Sequence, residues 1–128
     1  MPQEEMSIAD YRALVKRSKY GNKKIEIAGY TFDSLAEARR YEQLKLMEQA
    51  GVISDLRLQP RYELQKAFTD NAGVKQRAIV YCADFAYQEN GLSVVEDVKG
   101  ARTKEYILKK KLFLYTYSDL KFLEIKAT

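Results

Sequence analysis

The sequence predicts an α/β fold in which a mixed sheet is flanked by helices and preceded by a basic N-terminal helical arm. Three features predict it. Residues 35–50 have the apolar spacing of an amphipathic helix, and two alternating apolar runs flank Asn90-Gly91. A second helical pattern then separates the last of these runs from a final apolar strand. The predicted order is helix, three strands, helix and strand, written αβββαβ.

The predicted arm covers residues 1–24, and residues 25–128 are predicted to form one domain. Ser7 can cap a short helix that continues to about Lys19. The arm then carries a run of bases without an acid: Arg12, Lys16, Arg17, Lys19, Lys23 and Lys24. Such a run can follow a phosphate backbone, but a solvated basic face explains it equally well.

The first helix of the domain is the clearest in the sequence. Ser34 is placed to cap it, and Gly51 follows it at the position where helices often end. Glu37 lies on its predicted inward face. The whole predicted stripe is Glu37, Tyr41, Leu44 and Met47. Glu37 can complete a capping box with Ser34, or it can serve as an acid of a functional site, and the two roles can coexist.

Strand patterns lie on both sides of this helix. A small hairpin is predicted at residues 25–32, before the helix begins. After the helix, residues 62–67 are predicted as the first strand of the main sheet, with Pro60 tolerated at its start. Residues 81–89 and 92–99 follow as the second and third strands.

Asn90-Gly91 predicts a two-residue type I′ turn between the second and third strands, because both residues of that turn need a positive φ. A two-residue turn places Glu89 opposite Leu92, and it thereby places Asp84 opposite Asp97 and Cys82 opposite Lys99. Side chains directly opposite each other share a face of the sheet. Asp84, Asp97 and Lys99 are therefore predicted to lie together.

Two opposed carboxylates repel each other, so such a pair indicates a cation between them. Mg²⁺ and similar hard cations take carboxylate oxygens and substrate phosphates as ligands. A nearby lysine can stabilise negative charge that develops during hydrolysis of a phosphodiester. The cluster of Asp84, Asp97 and Lys99 is thus typical of phosphodiester hydrolysis, although a solvated polar face of an outer hairpin would carry the same residues.

The last elements are a helix and a strand. Thr103 can cap a helix that ends near Tyr117, and residues 120–125 form the last predicted strand. A helical crossover makes this strand parallel to the third one. The predicted buried face of the helix is Leu108, Leu112 and Tyr115. Bases line its start and outer face: Arg102, Lys104, Lys109, Lys110 and Lys111.

Composition narrows the chemistry. The chain has 128 residues, a formal charge of +4 and a pI near 9.1, so an anionic partner is compatible with it. It has no histidine, which excludes histidine bases and histidine-ligated zinc. Cys82 is its one cysteine, and no apolar run reaches the ~18 residues of a membrane helix. These features predict a cytoplasmic location, with no membrane partner.

The order of elements and acids resembles the PD-(D/E)xK nuclease superfamily. The resemblance is carried by an acid in the first helix (Glu37), an aspartate on the second strand (Asp84), and Asp97-Val98-Lys99 on the third. The segments FDSLAEARRYEQLKLMEQAGVISDLRLQPRYEL, ADF and VVEDVKG are similar to those of a phage and prophage domain family of unknown function within that superfamily. Ala83 stands where the superfamily has proline.

This resemblance implies a restriction-endonuclease-like fold and DNA cleavage that depends on Mg²⁺ or Mn²⁺. It implies a metal held by Asp84, Asp97 and the Val98 carbonyl, with Glu37 as a further metal-site acid. Lys99 would act on the attacking water or the phosphate, and Gln59 would support the site. The expected phosphate contacts are Lys16, Arg17, Lys19, Lys23, Lys24, Arg102 and Lys104.

The resulting hypothesis is a metal-dependent DNA endonuclease that acts in phage DNA recombination, replication or processing. Its location would be the host cell cytoplasm if a phage encodes it. DNA is the expected partner, and a second copy of the chain and phage replication or recombination proteins are candidate partners. The alternatives are a non-catalytic DNA-binding or phage accessory protein on the same fold, and a structural assembly subunit that binds no metal.

Overall fold

The computed structural model describes residues 24–27 and 29–127. These residues divide into two compact units, one formed by residues 24–52 with Ala127 and the other by Ile53–Lys126. Most of the predicted basic arm lies outside the described residues, including Lys16, Arg17, Lys19 and Lys23. The domain boundary after residue 24 therefore stays a prediction. In the described part of the chain, no helix is long and apolar enough to cross a membrane.

The first unit contains the predicted hairpin and the predicted first helix. β1 (Ile25–Ile27) pairs antiparallel with β2 (Tyr30–Phe32), and α1 spans Leu35–Gln49. Phe32 is fully buried, and its ring lies 5.1 Å from the ring of Tyr41 on α1. Both element predictions are confirmed, because the hairpin and the helix share one apolar interior.

The ends of α1 follow the predicted capping signals. The Ser34 hydroxyl accepts a hydrogen bond from the Glu37 amide at 3.1 Å, and Gly51 has a φ of +78° just beyond the last turn. The predicted inward stripe is also correct for Glu37, Tyr41 and Leu44, which are buried, while Met47 is half-buried.

The second unit holds most of the strands. They are β3 (Ser54–Leu58), β4 (Arg61–Gln65), β5 (Phe68–Thr69), β6 (Lys75–Gln76), β7 (Ile79–Cys82), β8 (Phe85–Glu89), β9 (Leu92–Lys99) and β10 (Lys121–Lys126), with α2 (Lys104–Thr116) between β9 and β10. The central sheet has the order β10-β9-β8-β3. β10 is parallel to β9 and the other neighbours are antiparallel, so the predicted α/β fold with a mixed sheet is confirmed.

The predicted turn between β8 and β9 is present. Asn90 and Gly91 have φ values of +52° and +79°, and Glu89 lies opposite Leu92. Both central residues thus occupy the left-handed region that a type I′ turn requires. The register between β8 and β9 is the predicted one as far as Phe85, which lies opposite Glu96.

Beyond Phe85 the predicted second strand is wrong as a single element. Residues 81–89 divide into β7 and β8, and β7 leaves β9 to pair with β4. Cys82 therefore lies opposite Arg61 and not opposite Lys99. The chain bends between β7 and β8, and the segment opposite bends at the same place, between β3 and β4. There Gln59 has a φ of +53°, and its amide donates a 2.8 Å hydrogen bond to the Asp84 carbonyl.

The predicted first strand is also displaced. β3, at residues 54–58, is the neighbour of β8 in the central sheet. The predicted strand at residues 62–67 is represented by β4, which ends at Gln65 and pairs with β7 in a separate two-stranded sheet. Pro60 lies between β3 and β4, and it has no amide hydrogen to donate to a neighbouring strand. A strand of a central sheet is therefore readily interrupted at this residue.

The core of the second unit lies against α2, but not against the predicted face of that helix. Tyr106 and Phe113 are the buried residues of α2, whereas Leu108, Leu112 and Tyr115 are 60%, 39% and 86% exposed. The prediction of the leucine face was wrong because α2 carries two apolar stripes. The aromatic stripe packs because its rings meet those of the strands: Phe113 contacts Tyr62, Tyr81 and Phe122 at 4.9, 5.1 and 5.8 Å between ring centroids.

Candidate active site

Asp84 lies where β7 and β8 diverge. Its amide donates to the Glu96 carbonyl at 3.1 Å, and its carbonyl accepts from the Gln59 amide at 2.8 Å. Its carboxylate Oδ2 then accepts from the Val98 amide at 2.6 Å. The side chain of Asp84 thereby occupies the place on β9 where the backbone of the next ladder pair would bond.

The predicted direct pairing of Asp84 with Asp97 is therefore wrong, since the ladder ends one residue earlier. The bond from the Val98 amide nevertheless keeps the Asp84 carboxylate beside the Asp97-Val98-Lys99 segment. Gln59, predicted as a supporting residue, contacts Asp84 through this backbone hydrogen bond, and a supporting role for its side chain stays a prediction.

Asp97 is the most enclosed acid of this cluster, at 1% exposure. The Tyr81 hydroxyl donates a hydrogen bond to its Oδ2, and Lys99 Nζ lies 3.2 Å from its Oδ1. Among the described residues, the buried Oδ1 accepts no hydrogen bond of normal geometry. A buried carboxylate oxygen usually has a donor or a cation, and Lys99 supplies the cation for this oxygen.

Lys99 is held from two sides. Its ammonium group faces Asp97 on one side and lies 4.5 Å from the centre of the Tyr106 ring on the other. A cation over an aromatic face gains electrostatic attraction without using a hydrogen-bond donor. The side chain is 30% exposed, so the ammonium group borders both the buried Asp97 and solvent.

Glu124 extends the cluster along β10. It lies beside Asp97 in the parallel register of β9 and β10, and its Oε1 accepts a 2.7 Å hydrogen bond from the Tyr106 hydroxyl. Arg102 forms an ion pair with Glu124, and Lys110 Nζ lies 3.6 Å from Glu124 Oε1. Arg102, predicted as a phosphate contact, is thus engaged by a carboxylate.

Two tyrosines are fixed as hydrogen-bond donors here. Burial raises the pKa of Tyr81, and the hydrogen bond to Asp97 and the negative charges of Asp97 and Asp84 raise it further. Burial likewise raises the pKa of Tyr106, with the hydrogen bond to Glu124 as the next cause. Both hydroxyls therefore stay protonated at neutral pH. They orient carboxylates and do not act as bases.

Glu96 lies on the other face of the sheet. It is fully buried, and its carboxylate accepts a hydrogen bond from the Tyr87 hydroxyl. Tyr87 lies opposite Val94 in the β8–β9 ladder, so Glu96 shares the face of Val94 and not that of Asp97. The predicted facing of Glu96 is confirmed.

Glu37 is described within its own unit. It is 4% exposed, and its Oε2 accepts a 3.3 Å hydrogen bond from the Asp33 amide. Together with the bond between the Glu37 amide and Ser34, this gives Glu37 the predicted capping role, with Asp33 in place of Ser34 as the reciprocal donor. Its role as a metal-site acid stays a prediction.

The donor atoms at Asp84 and Asp97 are of the type that Mg²⁺ and Mn²⁺ take. Hard cations bind carboxylate and carbonyl oxygens, and Mg²⁺ often has only one or two carboxylates among its ligands. Asp97 Oδ1, buried and without a hydrogen bond, fits such a ligand. Across the described residues, no three acidic, histidine or cysteine side chains gather as a metal-binding group. For an ion held by Asp84 and Asp97, the other ligand positions would have to be filled by substrate and water.

All three predicted phosphate contacts within the described residues, Lys24, Arg102 and Lys104, are exposed, and Arg102 is paired with Glu124. Lys104 is the first residue of α2, next to the cluster around Glu124. Tyr81, Tyr106 and Glu124 are site residues that the sequence did not indicate. For Glu124 a signal existed, since it is an acid inside the apolar strand Phe122–Ile125 of the sequence.

A family model described as "Protein of unknown function (DUF1064)" matches residues 17–128. The chain belongs to this family. The part of the chain that matches DUF1064 includes Asp84, Asp97 and Lys99, as well as both described helices. A comparison with curated proteins finds no match. Membership of DUF1064 brings no activity with it, so the geometry of the site has to carry the function.

Proposed function

We propose that the chain is a metal-dependent DNA endonuclease with the restriction-endonuclease-like fold of the PD-(D/E)xK superfamily. The observation that carries the proposal is the ion pair of Lys99 with a buried Asp97 whose Oδ1 accepts no hydrogen bond in the described part of the chain. The order along the chain of the two helices and the four strands of the central sheet, α1, β3, β8, β9, α2, β10, supports it, because this is the αβββαβ order of that superfamily.

Asp84, Asp97 and the Val98 carbonyl would hold Mg²⁺ or Mn²⁺. Such an ion polarises a phosphoryl oxygen and lowers the pKa of water. The protein's own residues fix the carboxylates for this task. Tyr81 holds one oxygen of Asp97, and the Val98 amide holds one oxygen of Asp84.

Lys99 would stabilise the negative charge that develops on the phosphate, or orient the attacking water. Its ammonium group is positioned by Asp97 and by the Tyr106 ring. A charge fixed in advance at the place where charge develops lowers the activation barrier. Since Lys99 is 30% exposed, a phosphate can approach it from solvent.

DNA would be held by the basic arm, with Lys16, Arg17, Lys19, Lys23 and Lys24, and by Lys104 at the start of α2. These contacts position the duplex without selecting sequence. Arg102 would contribute less than the sequence suggests, because Glu124 already neutralises it. The expected setting is phage DNA recombination, replication or processing.

The rival function is non-catalytic DNA binding or a phage accessory role on the same fold. It is favoured by the fact that Lys99 already neutralises Asp97, so the cluster has a cation without any metal. An endonuclease and a binder differ in one directly measurable property. Only the endonuclease shortens or nicks DNA when a divalent ion is present.

The experiment uses the full-length chain with linear duplex, branched and single-stranded DNA in Mg²⁺, in Mn²⁺ and in EDTA. Cleavage in Mg²⁺ or Mn²⁺ that EDTA abolishes is the expected result. Retention of DNA in a gel-shift assay, with every substrate intact under all conditions, would instead identify the binder.

A further inference from the structure

The strands that leave the central sheet at Asp84 form a two-stranded ribbon. β4 pairs with β7, and the chain continues outward into β5, which pairs with β6. Arg61 and Cys82 form the innermost pair, two residues from Asp84. From Arg61 to Thr69 the ribbon extends up to ~26 Å, at ~3.3 Å per residue.

The base of the ribbon is anchored. Tyr62 on β4 packs edge-on against Tyr117 after α2, with ring centroids 5.2 Å apart. The Tyr117 hydroxyl donates a 2.9 Å hydrogen bond to the Glu63 carbonyl. These contacts fix the direction in which the ribbon leaves the central sheet.

The tip of the ribbon, residues 66–77, contains a turn that is closed by hydrogen bonds. Asp70 Oδ1 accepts from the amides of Ala72 and Val74 at 2.9 and 3.0 Å, and Oδ2 accepts from the Gln76 side chain at 3.0 Å. These bonds lower the pKa of Asp70, the one from Val74 most of all. Asp70 is the only acid among residues 66–77, and both of its carboxylate oxygens accept hydrogen bonds from within this turn.

The surface of the tip is both basic and apolar. Phe68 is 47% exposed and Val74 is 54% exposed, and alternation along the ribbon places them on one face. Lys66, Lys75 and Arg77 are also exposed in this segment, and Lys75, which lies opposite Thr69, is on the other face of the ribbon. With three bases and one carboxylate, this surface has a net positive charge and is complementary to a polyanion.

We propose that the ribbon tip, defined as residues 66–77, binds duplex DNA beside the cut and selects DNA with an unpaired or unstacked step. The inference rests on the proposed function for the place of the cut, and names the class of DNA that the site accepts. Lys66, Lys75 and Arg77 contact phosphates, and Phe68 stacks on the exposed base.

The dimensions of the ribbon agree with this partner. A two-stranded ribbon fits the major groove of B-DNA, which is about 12 Å wide. Apolar side chains such as phenylalanine enter base steps that are already weakly stacked, because less stacking energy is lost there. A ribbon of up to ~26 Å spans up to about eight base pairs of ~3.4 Å each.

The test measures binding in EDTA to two labelled probes, a plain duplex and the same duplex with a short unpaired branch. Phe68→Ala should lower affinity for the branched probe about tenfold and leave the plain duplex nearly unaffected. Leu92→Ala, which truncates a 53% exposed side chain at the other hairpin, should bind both probes as the wild type does.

Charge is tested separately with the double variant Lys75→Ala/Arg77→Ala. It should weaken binding to both probes equally and reduce the slope of log affinity against log salt by about two units. Lys111→Ala/Lys121→Ala removes the same charge from exposed positions outside the ribbon, and should not reproduce the loss.

Ribbon variants that bind both probes as the wild type does would overturn the inference, as would a wild type that binds neither probe. The fate of the proposed function is separate. If the wild type shows the expected ribbon dependence of binding but cuts no DNA in Mg²⁺ or Mn²⁺, the ribbon inference stands and the endonuclease proposal fails.

Discussion

Lys99 Nζ lies 3.2 Å from Asp97 Oδ1, an oxygen that is buried and accepts no hydrogen bond from the described residues. The lysine is thus the cation that compensates this oxygen in the structure. Adding a divalent ion to Asp97, removing Lys99, or neutralising Asp97 should each change stability in a direction that this pairing determines.

A divalent ion should stabilise the folded protein. Mg²⁺ or Mn²⁺ bound by Asp97 and Asp84 is bound only by the folded site, so it should raise the melting temperature, and the free energy of unfolding should increase by RT ln(1 + [L]/Kd), where [L] is the concentration of the free ion. Asp97→Asn removes a ligand and should abolish the rise. Thermal melts with increasing Mn²⁺ measure it.

Asp55→Asn is the matched control, because Asp55 is an exposed carboxylate paired with Arg57 at 2.7 Å on β3. It should keep the full response to Mn²⁺. If Asp97→Asn gains as much stability from Mn²⁺ as the wild type does, the ion binds elsewhere.

Removal of Lys99 should separate stability from turnover. Lys99→Ala leaves the buried Asp97 carboxylate without its cation, so the protein should melt at a lower temperature in EDTA. Mn²⁺ should restore more stability to Lys99→Ala than to the wild type, because the ion then compensates Asp97 alone. At saturating DNA and Mn²⁺, cleavage should still fall by at least tenfold while DNA affinity stays near that of the wild type. A loss of affinity equal to the loss of rate would contradict the role given to Lys99.

Tyr81 should contribute to stability by orienting Asp97. Tyr81→Phe removes a buried donor to a carboxylate and should lower the free energy of unfolding by about 2 kcal/mol. Tyr115→Phe removes a hydroxyl from a side chain that is 86% exposed and should change it by less than about 0.5 kcal/mol. Urea unfolding of both variants makes the comparison. Equal losses in the free energy of unfolding would show that the hydrogen bond from the Tyr81 hydroxyl to Asp97 does not stabilise the protein.

Glu124 should make stability depend on acid pH. The hydrogen bond from Tyr106 is the main cause that lowers its pKa below the ordinary value of 4.5, and Lys110 and Arg102 add to it. As pH falls, the unfolded chain binds the proton first, so the stabilisation is complete above about pH 4.5 and is lost below it. Tyr106→Phe should therefore lose less stability than the wild type between about pH 5 and 3.5. Urea unfolding of both proteins at several pH values in this range makes the comparison. A loss as steep as that of the wild type would mean that Tyr106 does not tune Glu124.

Local signals predicted much of this fold. Asn90-Gly91 fixed the turn, Ser34 and Thr103 capped their helices, and alternation separated Glu96 from Asp97. Each of these features depends on residues that are close in the chain or paired through one short turn, where the geometry leaves few choices.

The features that failed depend on distant partners. The divergence of β7 from β8 at Asp84 arises because β4 competes with β9 for pairing, and no local pattern shows that competition. The buried face of α2 depends on which of two apolar stripes meets the aromatic strands. Glu124 reaches Asp97 through a parallel register, and a helical crossover does not fix that register.

The most direct test of the proposed active site compares two neighbouring acids on opposite faces of β9. Glu96→Gln keeps the shape of a buried side chain that bonds to Tyr87, and Asp97→Asn changes the side chain paired with Lys99. Both variants are assayed in Mn²⁺ on a DNA substrate that the wild type cuts, after melts establish that both are folded. Cleavage by Glu96→Gln should stay within a few-fold of wild type, and Asp97→Asn should show no detectable cleavage. An inactive Glu96→Gln beside an active Asp97→Asn would contradict the proposed active site.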